Sequence, residues 1–332
     1  MGEAESHTGF GYLRIKRADL VDVHLEGARA ASIPIRFNTR VIRMEERDES
    51  AKVKFSDGTE DTADMIFGCD GIHSYVRSAL FDPQPAPKYS GIATLMSTVP
   101  VSELSLETRS QIIGIEATVL TGGVLKFTPC TAAEDEIFWG ISRQVALPNS
   151  DGGHLGWQVH GESETEALKS SLLENLHESR GAWGDAMREV IQKSPTLEFY
   201  PIHRLPIRKP WFNGRCHLLG DAAHPMPPHA SQGVLMGMED AFLLSRLLED
   251  PHRPLDEVYE KFEEIRRPRV NEIYAHAAWH TTLRKRSSAL NLREKELNIA
   301  MSMSLSWALG QDKWRSKQSY DIDGVEITPT AH

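Results

Sequence analysis

Apolar and polar positions alternate between helical and strand rhythms along this chain. Residues 17–31 predict a helix, because Leu20, Val23, His24, Gly27 and Ala28 recur at three-to-four spacing. Residues 33–37, 40–46 and 51–55 alternate as strands do. Asp57-Gly58 predicts a hairpin turn, since glycine tolerates the positive φ such turns need. Residues 63–67 predict a short buried strand that ends at Gly68-Cys69-Asp70-Gly71. A helix is expected next, with Ser74 as its cap. Three prolines in residues 82–87 mark a linker.

Residues 88–205 read differently. Short strands at 92–99, 123–127 and 136–141 are followed by helices near 163–177 and 183–193, which predicts a sheet-rich insert. His203 and Trp211 are expected to pack between domains. Residues 231–248 then form the strongest helical pattern, with Val234, Leu235, Met238, Ala241, Phe242 and Leu248 as its apolar face. A second helix opens near Pro254 with Leu255, Val258, Tyr259, Phe262 and Ile265 as a stripe. Pro268 is expected to kink or break it. The reading is an α/β (α+β) chain in four segments: 1–87, an inserted 88–205, 206–290, and a tail from 291 to 332.

Composition narrows the function classes. The 332 residues are 40% apolar and 25% charged, the balance of a packed globular protein. A net charge of −10 argues against a nucleic-acid footprint, which needs a basic face. The three cysteines, Cys69, Cys130 and Cys216, have neither disulfide-framework nor zinc spacing, and Cys69 and Cys216 lie in apolar runs that predict buried thiols. His73, His154, His160 and His280 are scattered, so no metal site is expected. Residues 1–8 lack an apolar signal core, and no run of 18 apolar residues occurs. A cytoplasmic setting is the expectation.

The chemistry concentrates at Gly214-Arg215-Cys216-His217-Leu218-Leu219-Gly220-Asp221-Ala222-Ala223-His224-Pro225. This is a buried strand ending in a turn that carries a carboxylate. Ser231-Gln232-Gly233 then opens the long helix. A carboxylate turn and a glycine-opened helix can hold the polyol and phosphate of a dinucleotide cofactor.

Gly220-Asp221 through Pro228, with Gln232-Gly233 and Glu239-Asp240-Ala241, resembles the GD motif of the FAD-dependent aromatic hydroxylases, closest to their salicylate hydroxylase-like branch. Asp70-Gly71-Ile72-His73-Ser74-Tyr75-Val76-Arg77 resembles the DG motif of that family. Lys16-Arg17-Ala18-Asp19-Leu20 resembles its HRADL-like segment, with Lys16 in place of His. The resemblance implies that Asp221 accepts hydrogen bonds from the flavin ribityl chain and that Gly233 and Val234 face the ring or a phosphate. It implies that Arg17 meets the diphosphate and ribityl portion, and that Asp70, Gly71 and Arg77 handle flavin and nicotinamide. His229 is the candidate acid/base group at the substrate side, and His224 a structural one. The implied activity is NAD(P)H- and O2-dependent oxygenation of an aromatic or polyketide-type small molecule, in secondary-metabolite biosynthesis.

One expected part is not found. A dinucleotide fold of this kind opens with strand, G-x-G-x-x-G and helix. Gly9-Phe10-Gly11 is a fragment of that pattern, with Arg14 where the third glycine belongs. An incomplete FAD-binding domain predicts weak FAD binding and an exposed sheet edge, which a homodimer or another partner could complete. It leaves two other readings open: a flavin-independent isomerase, cyclase or dehydratase on the same scaffold, or a non-catalytic remnant.

Overall fold

The computed structural model describes residues 15–47, 49–80, 86–112, 116–120, 123–129, 135–145, 158–159, 162–177, 179–285, 293–294, 297, 301 and 320–327. Two compact units emerge, each assembled from separate stretches of chain.

The first unit comprises Met1–Pro34, Ser90–Ile202 and Thr282–Asp312. It contains α1 (Arg17–Ala30), α3 (Leu106–Gln111), α4 (Glu162–Asn175) and α5 (Gly181–Lys193). Its sheet runs in the order β6 (Glu116–Leu120), β7 (Gly123–Pro129), β8 (Glu136–Gln144), β5 (Lys88–Pro100), β10 (Glu198–Arg204), β9 (Gln158–Val159). In β5 and β8, inward residues such as Leu95, Val99, Trp139 and Ile137 alternate with less buried ones, as a half-covered antiparallel sheet requires. Leu172 of α4, Leu176 just after it, and Met187, Val190 and Ile191 of α5 complete this core. The buried Trp139 donates its indole N–H to Ser194 Oγ at 2.7 Å. Glu189 of α5 accepts hydrogen bonds from Ser105 and Thr108, holding the start of α3.

The second unit comprises Ile35–Tyr89, His203–Thr281 and Lys313–His332. It has an antiparallel sheet of β1 (Val41–Glu46), β2 (Ala51–Phe55) and β3 (Glu60–Ala63). Gly58 takes φ +86° in the turn between β2 and β3, as Asp57-Gly58 predicted. A second sheet has the order β11 (Phe212–Asn213), β12 (Cys216–Leu218), β4 (Ile66–Gly68). The unit also holds α2 (Tyr75–Leu80), α6 (Gly233–Leu247) and α7 (Leu255–Thr282). Among the described residues β4 pairs on one side only, with β12, so it is an edge strand. The core joins Leu218 and Ala222 to Met236, Leu243, Leu244 and Leu247 of α6 and to Val258, Tyr259, Phe262, Val270 and Ile273 of α7.

Five expectations are corrected. Residues 33–37 form no strand: Ser32 and Asn38 take positive φ at either end, and Ile33, Ile35 and Phe37 are exposed. α7 runs unbroken through Pro268, which is exposed, and the carbonyl of exposed Glu264 can turn to water. The buried face of α6 is Met236, Asp240, Leu243, Leu244 and Leu247, whereas Val234, Leu235 and Phe242 are exposed. Counting apolar residues alone put the stripe on the wrong side, because the buried side carries an aspartate. Cys69 is exposed, whereas Cys216 is buried, its thiol pushed up to about 11 by burial and nearby Glu46; Cys130 lies outside the described residues. Trp211 lies inside the core of the second unit against Phe262 and under the Arg267 guanidinium, and His203 meets His73 and Tyr89 of that same unit.

Candidate cofactor site

The site grows from two strand ends. β12 and β4 run parallel with Leu218 opposite Gly68, so both strands leave the sheet at the same end. Leu219 N–H donates to the Gly68 carbonyl at 3.0 Å. In open parallel sheets ligands bind beyond the carboxyl ends of the strands. Glycine is required at 68: a Cβ there would lie 2.8 Å from Leu218 Cδ2 and 2.9 Å from Val76 Cβ.

Beyond β4 the chain turns at Asp70-Gly71, with Gly71 at φ +79°. Asp70 Oδ2 accepts from the Tyr75 N–H at 2.7 Å and the Val76 N–H at 3.2 Å, capping α2. Ser74 Oγ accepts from the Arg77 N–H at 2.9 Å, the predicted cap. Arg77 is buried rather than solvated. It donates from Nη1 to the Ala222 carbonyl at 2.8 Å and from Nη2 to the Ile72 carbonyl. Burial lowers its pKa, opposed by Asp70. Arg77 thereby ties the DG turn to the GD turn.

Beyond β12 the chain enters a 3-10 turn, Gly220–Ala222, with Gly220 at φ +55°. Asp221 is exposed at this turn, while Ala222, Ala223 and His224 behind it are buried. Asp240 fixes the turn from below. Its Oδ2 accepts from Gly220 N–H at 2.8 Å and pairs with His224 Nε2 at 2.7 Å. Its Oδ1 accepts from Arg266 Nε at 2.8 Å. Arg266 Nη1 reaches Glu239 Oε2 at 2.6 Å, and Arg269 reaches Glu239 Oε1 at 3.2 Å. Burial by itself raises the Asp240 pKa; His224, Arg266 and the Gly220 N–H outweigh it and hold the carboxyl below its ordinary value. The network was not read from the sequence. A signal existed: Arg266 falls four residues after Phe262 and four before Val270, on the buried stripe of α7.

The start of α6 completes the site. His229 is buried in the 3-10 turn Pro228–Ala230, and Ser231 follows at φ +54°. No side chain caps α6. A Cβ on Gly233 would meet nothing within 4 Å, so the helix start faces open space. Gln232, 3% exposed, has an Oε1 without a hydrogen-bond partner. An orphaned buried acceptor, uncapped N–H groups and an exposed carboxylate are a donor and acceptor set that fits a polar, ring-bearing cofactor.

The structure therefore brings Asp70, Gly71, Arg77, Asp221, His229, Gly233 and Val234 into one unit. Arg17 belongs to the other. It is the exposed first residue of α1, a helix with no buried residue, whose preceding Lys16 pairs with Glu136 at 2.6 Å. Among the described residues no group of three or more metal-ligating side chains occurs, and no helix is long and apolar enough to cross a membrane.

Comparison with known proteins identifies the family and the fold. A 6-hydroxynicotinate 3-monooxygenase of Bordetella bronchiseptica is 28% identical over 84% of this chain and 69% of its own length. A salicylate hydroxylase of Pseudomonas putida is 26% identical over 92% of this chain and 71% of its own. The structure of a salicylate hydroxylase substrate complex superimposes with a TM-score of 0.70 at 19% identity, covering 92% of this chain and 73% of that one, which establishes the fold. Residues 15–277 match the FAD binding domain model. The chain belongs to that family, among the FAD-dependent aromatic hydroxylases of the salicylate hydroxylase-like branch.

Proposed function

We propose that this chain is an FAD-dependent monooxygenase that places one oxygen atom on an aromatic or polyketide-type small molecule. The observation that carries the reading is the exposed Asp221 carboxylate on a turn pinned by buried Asp240. An ionised carboxylate is a strong acceptor for polyol hydroxyls, so Asp221 would take the ribityl chain. The uncapped N–H groups at Gly233 and Val234 would meet the electron-rich edge of the ring or a phosphate, and Gln232 Oε1 would accept from an N–H. Arg17 would meet the diphosphate. Asp70, Gly71 and Arg77 shape and brace the turn. When bound, FAD supplies the redox chemistry, with NAD(P)H as electron source and O2 as oxygen source.

The chain's own residues hold, orient and exclude water. Val234, Leu235 and Phe242 offer an exposed apolar face of α6 that a ring or substrate would cover. His229 is buried, so we assign it to holding the turn before α6 rather than to direct proton transfer. Use of NAD(P)H suits a cytoplasmic setting, and the substrate class suits secondary metabolism. The test is flavin content before and after adding FAD, then NAD(P)H consumption with small aromatic acids. Absence of flavin binding at saturating FAD would sink the reading.

A further inference from the structure

We infer that His276 and His280 form a two-imidazole chelate on α7 for a divalent transition-metal ion of the copper, nickel or zinc type. The residues stand four apart, one helical turn, on the same side of the helix. Their Nε2 atoms are hydrogen-bonded to each other at 3.2 Å, sharing one proton that a metal would displace, and their ring centroids are 4.5 Å apart at an interplanar angle of 71°. Both side chains are partly exposed, while Ile273, Ala277 and Thr281 face the core and fix the helix beneath them.

The spacing matches what a metal needs. Imidazole nitrogens bind zinc at about 2.0–2.1 Å. Two nitrogens 3.2 Å apart at that radius subtend about 100–106° at the ion, near the tetrahedral angle. A small rotation of the rings then aims both lone pairs at one point. Imidazole suits copper, nickel and zinc, whereas magnesium and calcium take oxygen ligands. No third side chain completes a cluster among the described residues, so water fills the remaining positions and the ion exchanges freely. The chain's net charge of −10 favours a cation. Exposed Trp279, with its ring 4.7 Å from that of His280, provides a reporter.

The full chain is titrated with Cu2+, following tryptophan fluorescence, and with Zn2+ by equilibrium dialysis. Saturable quenching with one equivalent of copper, and one bound zinc, are expected. His276→Gln and His280→Gln should each weaken binding at least tenfold, since losing even an outer-shell partner of a metal ligand costs about 10–100-fold. The exposed His252→Gln variant should bind as the parent does. Thermal melts without metal should be unchanged in all three. Unaltered copper and zinc binding in the His276→Gln, His280→Gln double variant overturns the proposal. Neither readout depends on flavin, so the outcome is separate from that of the proposed activity.

Discussion

The GD turn and helix α1 both carry residues of the family pattern, yet they are built in opposite ways. Asp221 stands on a turn held by a fully buried carboxylate, a histidine and two arginines. Arg17 stands on a helix of 14 residues of which none is buried. A motif match ranks the two segments alike. Physical support does not: one turn is held by buried partners before any ligand arrives, and the other segment buries none of its own side chains. Pre-organised contacts are the ones that lose least entropy on binding.

The largest effect should come from removing the pin. Asp240→Ala leaves Arg266, with no exposure, and His224 without their shared acceptor. Breaking a buried ion pair from one side costs about 3–5 kcal/mol, which urea unfolding would read. A loss under about 1 kcal/mol would remove the distinction between the two segments.

The pH response tests the same core. His217 is fully buried among Phe212, Tyr259 and Phe262, and burial pushes its pKa down to about 4. The unfolded chain, with an ordinary histidine near pH 6.5, binds the proton more readily. Its contribution is therefore complete above about pH 6.5 and is lost as pH falls toward 4, roughly 3 kcal/mol in all. His217→Phe should flatten urea stability across that window. Asp240, held below the ordinary carboxylate value, loses its contribution only at still lower pH. An unchanged slope in His217→Phe would show that the ring is not kept neutral by the core.

Gly68→Ala comes next. The new methyl would press on Leu218 and Val76, where strand β12, strand β4 and helix α2 meet. Overpacking of this sort costs about 1–3 kcal/mol, visible as a lower urea midpoint, and it should loosen the DG and GD turns together.

These residues also show what the sequence could reveal. The β12 strand, the Gly58 hairpin, the Ser74 cap and the start of α6 were legible because local chemistry specifies them: an apolar run, a positive-φ glycine, a hydroxyl before a helix. The buried face of α6 was not. Its centre is Asp240, and a buried aspartate becomes plausible only once Arg266, 26 residues away, and His224 are seen beside it. The brace that Arg77 supplies was equally hidden: its acceptor, the Ala222 carbonyl, lies 145 residues on. The strand expected at 33–37 failed for the converse reason, since apolar alternation makes a strand only where another strand pairs with it.

The smallest effect on stability should come from the two charges the comparison began with. Asp221 and Arg17 are both exposed, and exposed substitutions away from special backbone usually change stability by no more than about 0.5 kcal/mol. Asp221→Asn and Arg17→Ala should therefore unfold at the urea midpoint of the parent. Their FAD affinities should differ. Asp221→Asn removes a charged acceptor from a fixed turn, and a hydrogen bond to a charged group contributes about 1.5–3 kcal/mol, or a tenfold to hundredfold weaker Kd. Arg17→Ala removes a cation at the end of a long, exposed side chain, and part of what its contact would yield is spent on ordering that side chain. Its loss should be the smaller, by about tenfold in Kd. Equal losses at equal stability would mean that bound FAD orders the Arg17 side chain as firmly as the core orders the GD turn, and the asymmetry would belong to the ligand-free protein alone.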